Sequence, residues 1–484
     1  MASTLTEEPS EPNTRSGTYT IAVALVAAVG GLMFGYDIGV IADAQDGIRE
    51  AFELSTFQIE VVVAAVLAGS FTGAILAGKL CDRIGRRWTN VWGGALFALG
   101  CLGCGLSVDF TTITAFRVIM GLGVGFSSVA GPLYIAEISA PWSRGAMVSL
   151  YQLAITLGIL VAFLIGLFLG TELWRVHFSI GSVMGVGLVI GMLAMPPSPR
   201  WLVGRGRTET ALEVLERTTG SAEAARSELE AIKLRVREES GERLFDALLK
   251  RPAVRRALVL AIGLALLQQF SGINAIMFYG PSILEEIGLG DKKLLLTASI
   301  GLVNVLATFI AIWLVDRLGR RSLLLCGTAL MMLSQVGIGL AALWIPETQA
   351  ATSAGGSSAG VIALVLIFVA IIAFAFSLGP LVWLVISEIF PAGVRSACVG
   401  IATSANWIGA FLVALFSLTV LENKTLGTTA VFWLFAGSNI VAILFILLRL
   451  PETKGVELER IEEFFTRPGD ARKQRRSDPE ESQP

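Results

Sequence analysis

The chain is short of the side chains that metal, nucleophilic or disulfide chemistry needs. One histidine, His177, and five cysteines stand in 484 residues. An odd cysteine count makes no complete disulfide framework, and the close pair Cys101 and Cys104 lies in an apolar run with no second pair or histidine to finish a metal site. Packing is the expected role for both. No Ser/His/Asp set supports an enzyme, and the GLGVGF string at 121–126 has no strand before it, so it is no dinucleotide fingerprint. Charge is scarce too: 16% of residues are charged, where soluble domains carry about a quarter. A net charge of −2 implies no pull toward nucleic acid.

What the chain has instead is apolar surface and glycine. Hydrophobic residues make up 54%, and twelve apolar stretches stand at 20–41, 61–80, 90–108, 112–136, 147–170, 177–195, 256–280, 295–315, 323–345, 360–387, 396–420 and 429–450. Crossing a hydrocarbon core of roughly 30 Å takes about 20 such residues. An all-α, polytopic membrane protein with the lipid bilayer as its surroundings is expected. The 52 glycines fit that reading, because small residues let membrane helices approach closely. Gly69 with Gly73, Gly121 with Gly125, Gly181 with Gly185, and Gly187 with Gly191 each set two glycines on one helix face.

Charge position sets a topology. With both termini inside, 31 of the 37 Lys and Arg fall in inside segments and five in outside ones, as cytoplasmic loops require. The remaining one, Arg117, lies within a helix. The expected organisation is a disordered cytoplasmic start at 1–19, a six-helix bundle at 20–195, a charged helical segment at 196–255, a second bundle at 256–450 and a cytoplasmic tail at 451–484, in a cell membrane. No processed leader is expected. In the central segment Ala211, Leu212, Val214, Leu215, Leu229, Ile232 and Val236 recur at helical spacing, with Gly220 as a helix stop.

The two halves repeat. DRIGRR (Asp82, Arg83, Arg86, Arg87) after the second stretch recurs as DRLGRR (Asp316, Arg317, Arg320, Arg321) after the eighth. Glu137 and Arg144 after the fourth recur as Glu388 and Arg395 after the tenth, and Pro197 recurs as Pro451. Three motifs in the same order argue for duplication, a mark of secondary transporters. These acids and arginines are expected to form a charge lattice that closes the inner gate in one state, with pairs weak enough near water to break.

Two opposite charges stand well inside apolar stretches: Asp37, about 17 residues along the first helix, and Arg117 on the fourth. An intramembrane ionisable residue is a functional hypothesis by default. Either protonation of Asp37 frees Arg117 and switches the arrangement of the halves, or a permanent pair fixes helix register. Neutral amides are the other signal: Gln152, Gln268, Gln269, Asn274, Asn304 and Asn406. Amides complement hydroxyls, and aromatic faces at Phe34, Phe278, Tyr279, Trp383 and Trp407 suit a sugar ring. For each amide, bonding between helices is the competing role.

In order, FGYD, DRIGRR, PLYIAEISAPWSRG, SPRWL, QQFSGIN, DRLGRR, SEIFPAGVR and PETKG resemble the sugar porter family of the major facilitator superfamily, over residues 20 to 460. The resemblance implies twelve helices in two pseudo-symmetric halves and alternating access. It also implies sugar contacts at Gln152, Gln268, Gln269, Asn274, Asn304, Trp383 and Asn406. By similarity to bacterial proton-coupled members, Asp37 is the proton site with Arg117 as partner, and no cofactor is needed beyond the coupling proton. Two positions depart from the pattern: PPSPR places Pro197 where the family has Glu, and Phe278 stands where many members have Tyr. Symport of a hexose or pentose is the leading expectation. Passive facilitation, polyol symport and sugar sensing are the alternatives, the last disfavoured by a short tail.

Overall fold

The computed structural model describes residues 14–139, 144–239, 248–315, 319–344, 358–390, 392–423 and 427–450. Within these it describes side chains except at 14–17, 144–146, 238–239, 312–315, 387–388, 392–393 and 395–396. Asp316, Arg317, the segment before Thr14 and the tail after Leu450 lie outside the described residues, as do the side chains of Arg144, Glu388 and Arg395.

The first half comprises α1 (Thr14–Phe52), α2 (Thr56–Ile84), α3 (Arg86–Gly105), α4 (Phe110–Ile138), α5 (Arg144–Leu169) and α6 (Trp174–Ala194). Short helices α7 (Pro199–Gly204), α8 (Thr208–Thr219) and α9 (Ala222–Glu239) follow. The second half comprises α10 (Pro252–Phe270), α11 (Ile273–Phe278), α12 (Gly280–Glu286), α13 (Lys293–Val315), α14 (Arg320–Leu343), α15 (Ser358–Phe376), α16 (Leu378–Glu388), α17 (Ala392–Leu421) and α18 (Gly427–Arg449). Among the described residues, eleven spans are long and apolar enough to cross a membrane. The twelfth, α3, starts on the polar run Arg86–Asn90 and takes its place by packing against α4 and α6.

Local sequence explains several helix ends. Ser55 caps α2 in a capping box with Gln58. Asp109 caps α4, accepting the Thr112 amide at 2.7 Å, and that bond holds its carboxyl below the usual carboxylate range. Gly85, at φ 89°, makes the tight turn inside DRIGRR. The second copy turns differently, since Gly319 sits at φ −64°.

The halves repeat their contacts. In the first, α1 packs on α5, α2 on α4, α3 on α4, and α3 on α6. In the second, α10 packs on α17, α13 on α15, α14 on α15, and α14 on α18. Arg87 on α3 donates to the Met192 and Leu193 carbonyls at the end of α6, and Arg321 on α14 donates to the Leu447 carbonyl near the end of α18. The halves meet along α2 with α17 and α5 with α13.

Glycines set these distances. A Cβ at Gly69 would lie 2.2 Å from the Val118 carbonyl, and one at Gly121 2.0 Å from the Val66 carbonyl. The expected pairs 69/73 and 121/125 thus meet each other at the crossing of α2 and α4. Gly181 and Gly185 face Tyr36 and Gly94. The pair 187/191 is a correction: Gly191 meets Val26, but Gly187 meets nothing within 4 Å.

Three spans differ from expectation. The first runs on to Phe52 as one helix of 39 residues, roughly 58 Å at 1.5 Å per residue. The seventh breaks at Ser271 and Gly272, the latter at φ 86°, and again at Tyr279. The tenth breaks at Ser377, just before Gly379 and Pro380. In the central segment Leu202, Ala211, Val214, Leu215, Ala225, Leu229 and Ile232 form a separate small core, against which Leu212 and Val236 pack. Gly220 ends α8 in the left-handed conformation.

Candidate functional site

The first half holds a buried ion pair. Arg117 is wholly buried and Asp37 2% exposed, and Arg117 Nη1 donates to Asp37 Oδ1. Arg117 Nε and Nη2 donate to the Val62 and Val63 carbonyls of α2, at 3.2 and 3.3 Å. Those carbonyls are within reach because Gly121, one turn after Arg117, lets α4 cross α2 at backbone contact. The guanidinium also lies 5.9 Å from the Phe178 ring. Arg117 is thus held on α2 by two backbone carbonyls as well as by Asp37 of α1.

The second half holds a chain of amides. Asn406 Nδ2 donates to Gln268 Oε1 at 2.7 Å and to the Ala265 carbonyl at 3.2 Å. Gln268 Nε2 donates to the Leu378 and Gly379 carbonyls at 2.6 and 3.2 Å. Asn274 Nδ2 donates to Gln269 Oε1 at 2.5 Å. The Gln268 bonds tie α10 to the first turn of α16, just after the break at Ser377. At the break in the seventh span, Gln335 donates to the Ser271 carbonyl at 2.6 Å while accepting from Asn439 Nδ2 at 2.8 Å.

The expected sugar residues divide accordingly. Gln268, Gln269, Asn274 and Asn406 come together, and Asn304 is buried on α13. Gln152 on α5 and Trp383 on α16 are half-buried. Among the described residues no hydrogen bond joins Gln152, Asn304 or Trp383 to the amide chain. Tyr279 donates its hydroxyl to the Ala414 carbonyl of α17, and Phe278 is buried. Phe34 and Trp407 meet across the halves with ring centroids 5.2 Å apart and planes tilted by 57°. Phe34 lies one turn before Asp37, and Trp407 follows Asn406, so one ring contact links the two sites.

Of the charge lattice, the described bonds of Arg86, Arg87 and Glu137 stay within the first half and its linker. Arg86 pairs with Glu137 at 3.0 Å and with the exposed Asp82 at 3.6 Å. Ser198 Oγ donates to Glu137 at 2.5 Å, which supplies a partner beside the unusual Pro197. Arg205 and Trp201 donate to the Asp82 carbonyl, and Arg205 also to that of Arg83.

At the opposite face the halves are tied together by residues the sequence did not single out. Arg49 pairs with Glu422 at 2.7 Å, and Thr56 donates to the same carboxylate at 2.5 Å. Glu60 accepts from the Thr419 amide at 2.7 Å and from its hydroxyl. Lys293 joins Asp46 at 2.8 Å, and Gln45 donates to the Phe278 carbonyl at 3.3 Å. Asp43, beyond the expected end of the first span, is buried as well, at 3% exposed. His177 is buried against Tyr36, whose hydroxyl donates to its carbonyl at 2.6 Å.

The family model described as "Sugar (and other) transporter" matches residues 23–465. The chain is 38% identical over 448 residues to the galactose-proton symporter of Escherichia coli (strain K12), covering 92% of this chain and 94% of that one. It is 36% identical over 470 residues to the arabinose-proton symporter of Bacillus subtilis (strain 168), covering 95% and 98%. The xylose transporter XylE from E. coli, in a partially occluded inward open conformation, superposes with a TM-score of 0.78 at 28% identity over 91% of this chain and 100% of that one.

Proposed function

The chain belongs to the sugar porter family of the major facilitator superfamily, and from that premise we propose that it carries out proton-coupled symport of a monosaccharide, a hexose or a pentose. The observation that carries this reading is the buried Asp37–Arg117 pair in the half opposite the amide chain. A proton on Asp37 removes its charge, and Arg117 stays on the Val62 and Val63 carbonyls. α1 is then free to shift, and Phe34 moves with it against Trp407. Sugar hydroxyls exchange for the bonds that Gln268, Gln269, Asn274 and Asn406 now make to one another and to backbone. Each trade is close to neutral, because hydrogen bonds between membrane helices average about 0.6 kcal/mol.

The face bearing DRIGRR is cytoplasmic, as are both termini. The tied face is the outer one, so the arrangement described is closed to the outside. Arg86, Glu137 and Ser198 order the cytoplasmic ends of α3, α4 and α7. Uptake of labelled galactose, arabinose and xylose into proteoliposomes, with and without an imposed pH gradient, tests the whole reading. Asp37→Asn is expected to abolish uphill accumulation while leaving passive exchange intact. Undiminished accumulation in that variant would overturn the role of Asp37, and wild-type uptake indifferent to the gradient would make the chain a passive facilitator.

A further inference from the structure

Asp43 takes no part in the mechanism above, yet it is 3% exposed and neither carboxylate oxygen has a hydrogen-bond partner among the described residues. It points against Gly166 of α5, where an added Cβ would lie 2.0 Å from Asp43 Oδ2. The site fits a carboxyl group because α5 offers no side chain there.

The nearby arginines and lysine are committed elsewhere. On α1 itself Arg49 is on Glu422 and Asp46 is on Lys293 of α13, which also holds Glu285 of α12. On α4 Arg117 is on Asp37. On α6 Arg175 donates to the Gly105 and Ser107 carbonyls, and His177 meets Tyr36 edge-on at 5.6 Å, its buried Nε2 making no hydrogen bond among the described residues. On α2 Glu60 is held by Thr419. On α3 Cys101 and Cys104 are buried. A buried carboxylate with neither cation nor donor is strongly disfavoured, whereas the neutral acid is tolerated.

The residues just beyond Asp43 make the cross-half ties. Gln45 reaches the Phe278 carbonyl, Asp46 reaches Lys293 and Arg49 reaches Glu422. Parting the halves at this face breaks those bonds and admits water to this end of α1. We propose that Asp43 is a second proton-binding site, filled from the tied face as that face closes and emptied into the same solution as it opens. The proposal rests on the symport reading above and assigns that face its own proton.

The sign follows from which state binds the proton. The closed face holds neutral Asp43, while the open, hydrated face lets it ionise above its ordinary value of about 4. Raising pH through that range favours the open face by up to about tenfold per pH unit for one proton. Lowering pH favours the closed face.

The test is the distance between spin labels at Phe57 and Lys292, both exposed, on full-length protein in nanodiscs with exposed Cys326 replaced by serine. In wild type and in Asp37→Asn the open-to-closed ratio is expected to rise at least tenfold from pH 5 to pH 8. Asp43→Asn, with Asp43→Ser as a second variant should the first not fold, is expected to flatten that rise. A flat wild-type profile, or an unchanged rise in either Asp43 variant, would overturn the proposal. Neither result depends on uphill sugar accumulation, which tests the symport reading separately.

Discussion

The two halves repeat the same helix contacts but bury different chemistry. Among the described residues, every buried ionisable acid, arginine or histidine, namely Asp37, Asp43, Glu60, Arg117 and His177, belongs to the first half. The second half buries Gln268, Gln269, Asn304, Gln335, Asn406 and Asn439. The energies differ as the chemistry does. Stranding one member of a buried ion pair costs about 3–5 kcal/mol, whereas an interhelical amide bond averages about 0.6 kcal/mol. On the proposed mechanism the first half undergoes a two-state event triggered by a proton, and the second exchanges partners with hydroxyls at little cost.

The largest effect that sharpens this contrast comes from Arg117→Leu, which leaves Asp37 buried and unpaired. Stability should fall by about 3–5 kcal/mol, read as a lower melting temperature in detergent, and adding Asp37→Asn should restore most of it. A single variant as stable as wild type would show that the pair is not what holds α1. Next in size is Asn406→Ala, which removes the donor to Gln268 Oε1 and the Ala265 carbonyl. A loss of about 1–2 kcal/mol is a 5- to 30-fold weaker sugar affinity, measured by competition with labelled sugar, with no change in melting beyond a few degrees. The smallest effect belongs to Glu422→Gln at the partly exposed tie to Arg49. At no more than about 1 kcal/mol, it should move the open-to-closed ratio about fivefold toward open, on the same Phe57–Lys292 distance.

Much of this was legible in the sequence, for physical reasons that also mark the gaps. Asp37 and Arg117 stood out because charge is so rare in apolar stretches, and DRIGRR because its repeat falls at the same place in each half. The continuation of α1 to Phe52 was not legible: Asp43, Gln45 and Asp46 look like a loop, and only packing against α5 and the second half shows that they are buried or bonded. Arg49 and Glu422 are 373 positions apart, and nothing local announces such a pair. The anchoring of Arg117 by Val62 and Val63 is made by backbone carbonyls, which leave no mark in side-chain pattern. The helix breaks did leave one, in Ser271–Gly272 and in Ser377 before Gly379 and Pro380, but continuous hydropathy hid them. Gln335 and Asn439 carried the same signal as the amides that were recognised, an amide inside an apolar run.

The division of labour between the halves is tested most directly by recording proton and sugar movement together when sugar is added to proteoliposomes with no imposed gradient. Wild type should alkalinise the outer solution as sugar enters. Asn406→Ala should keep the wild-type proton-to-sugar ratio while needing more sugar, and Asp37→Asn should admit sugar with no proton. Proton movement at the wild-type ratio in Asp37→Asn would contradict the account.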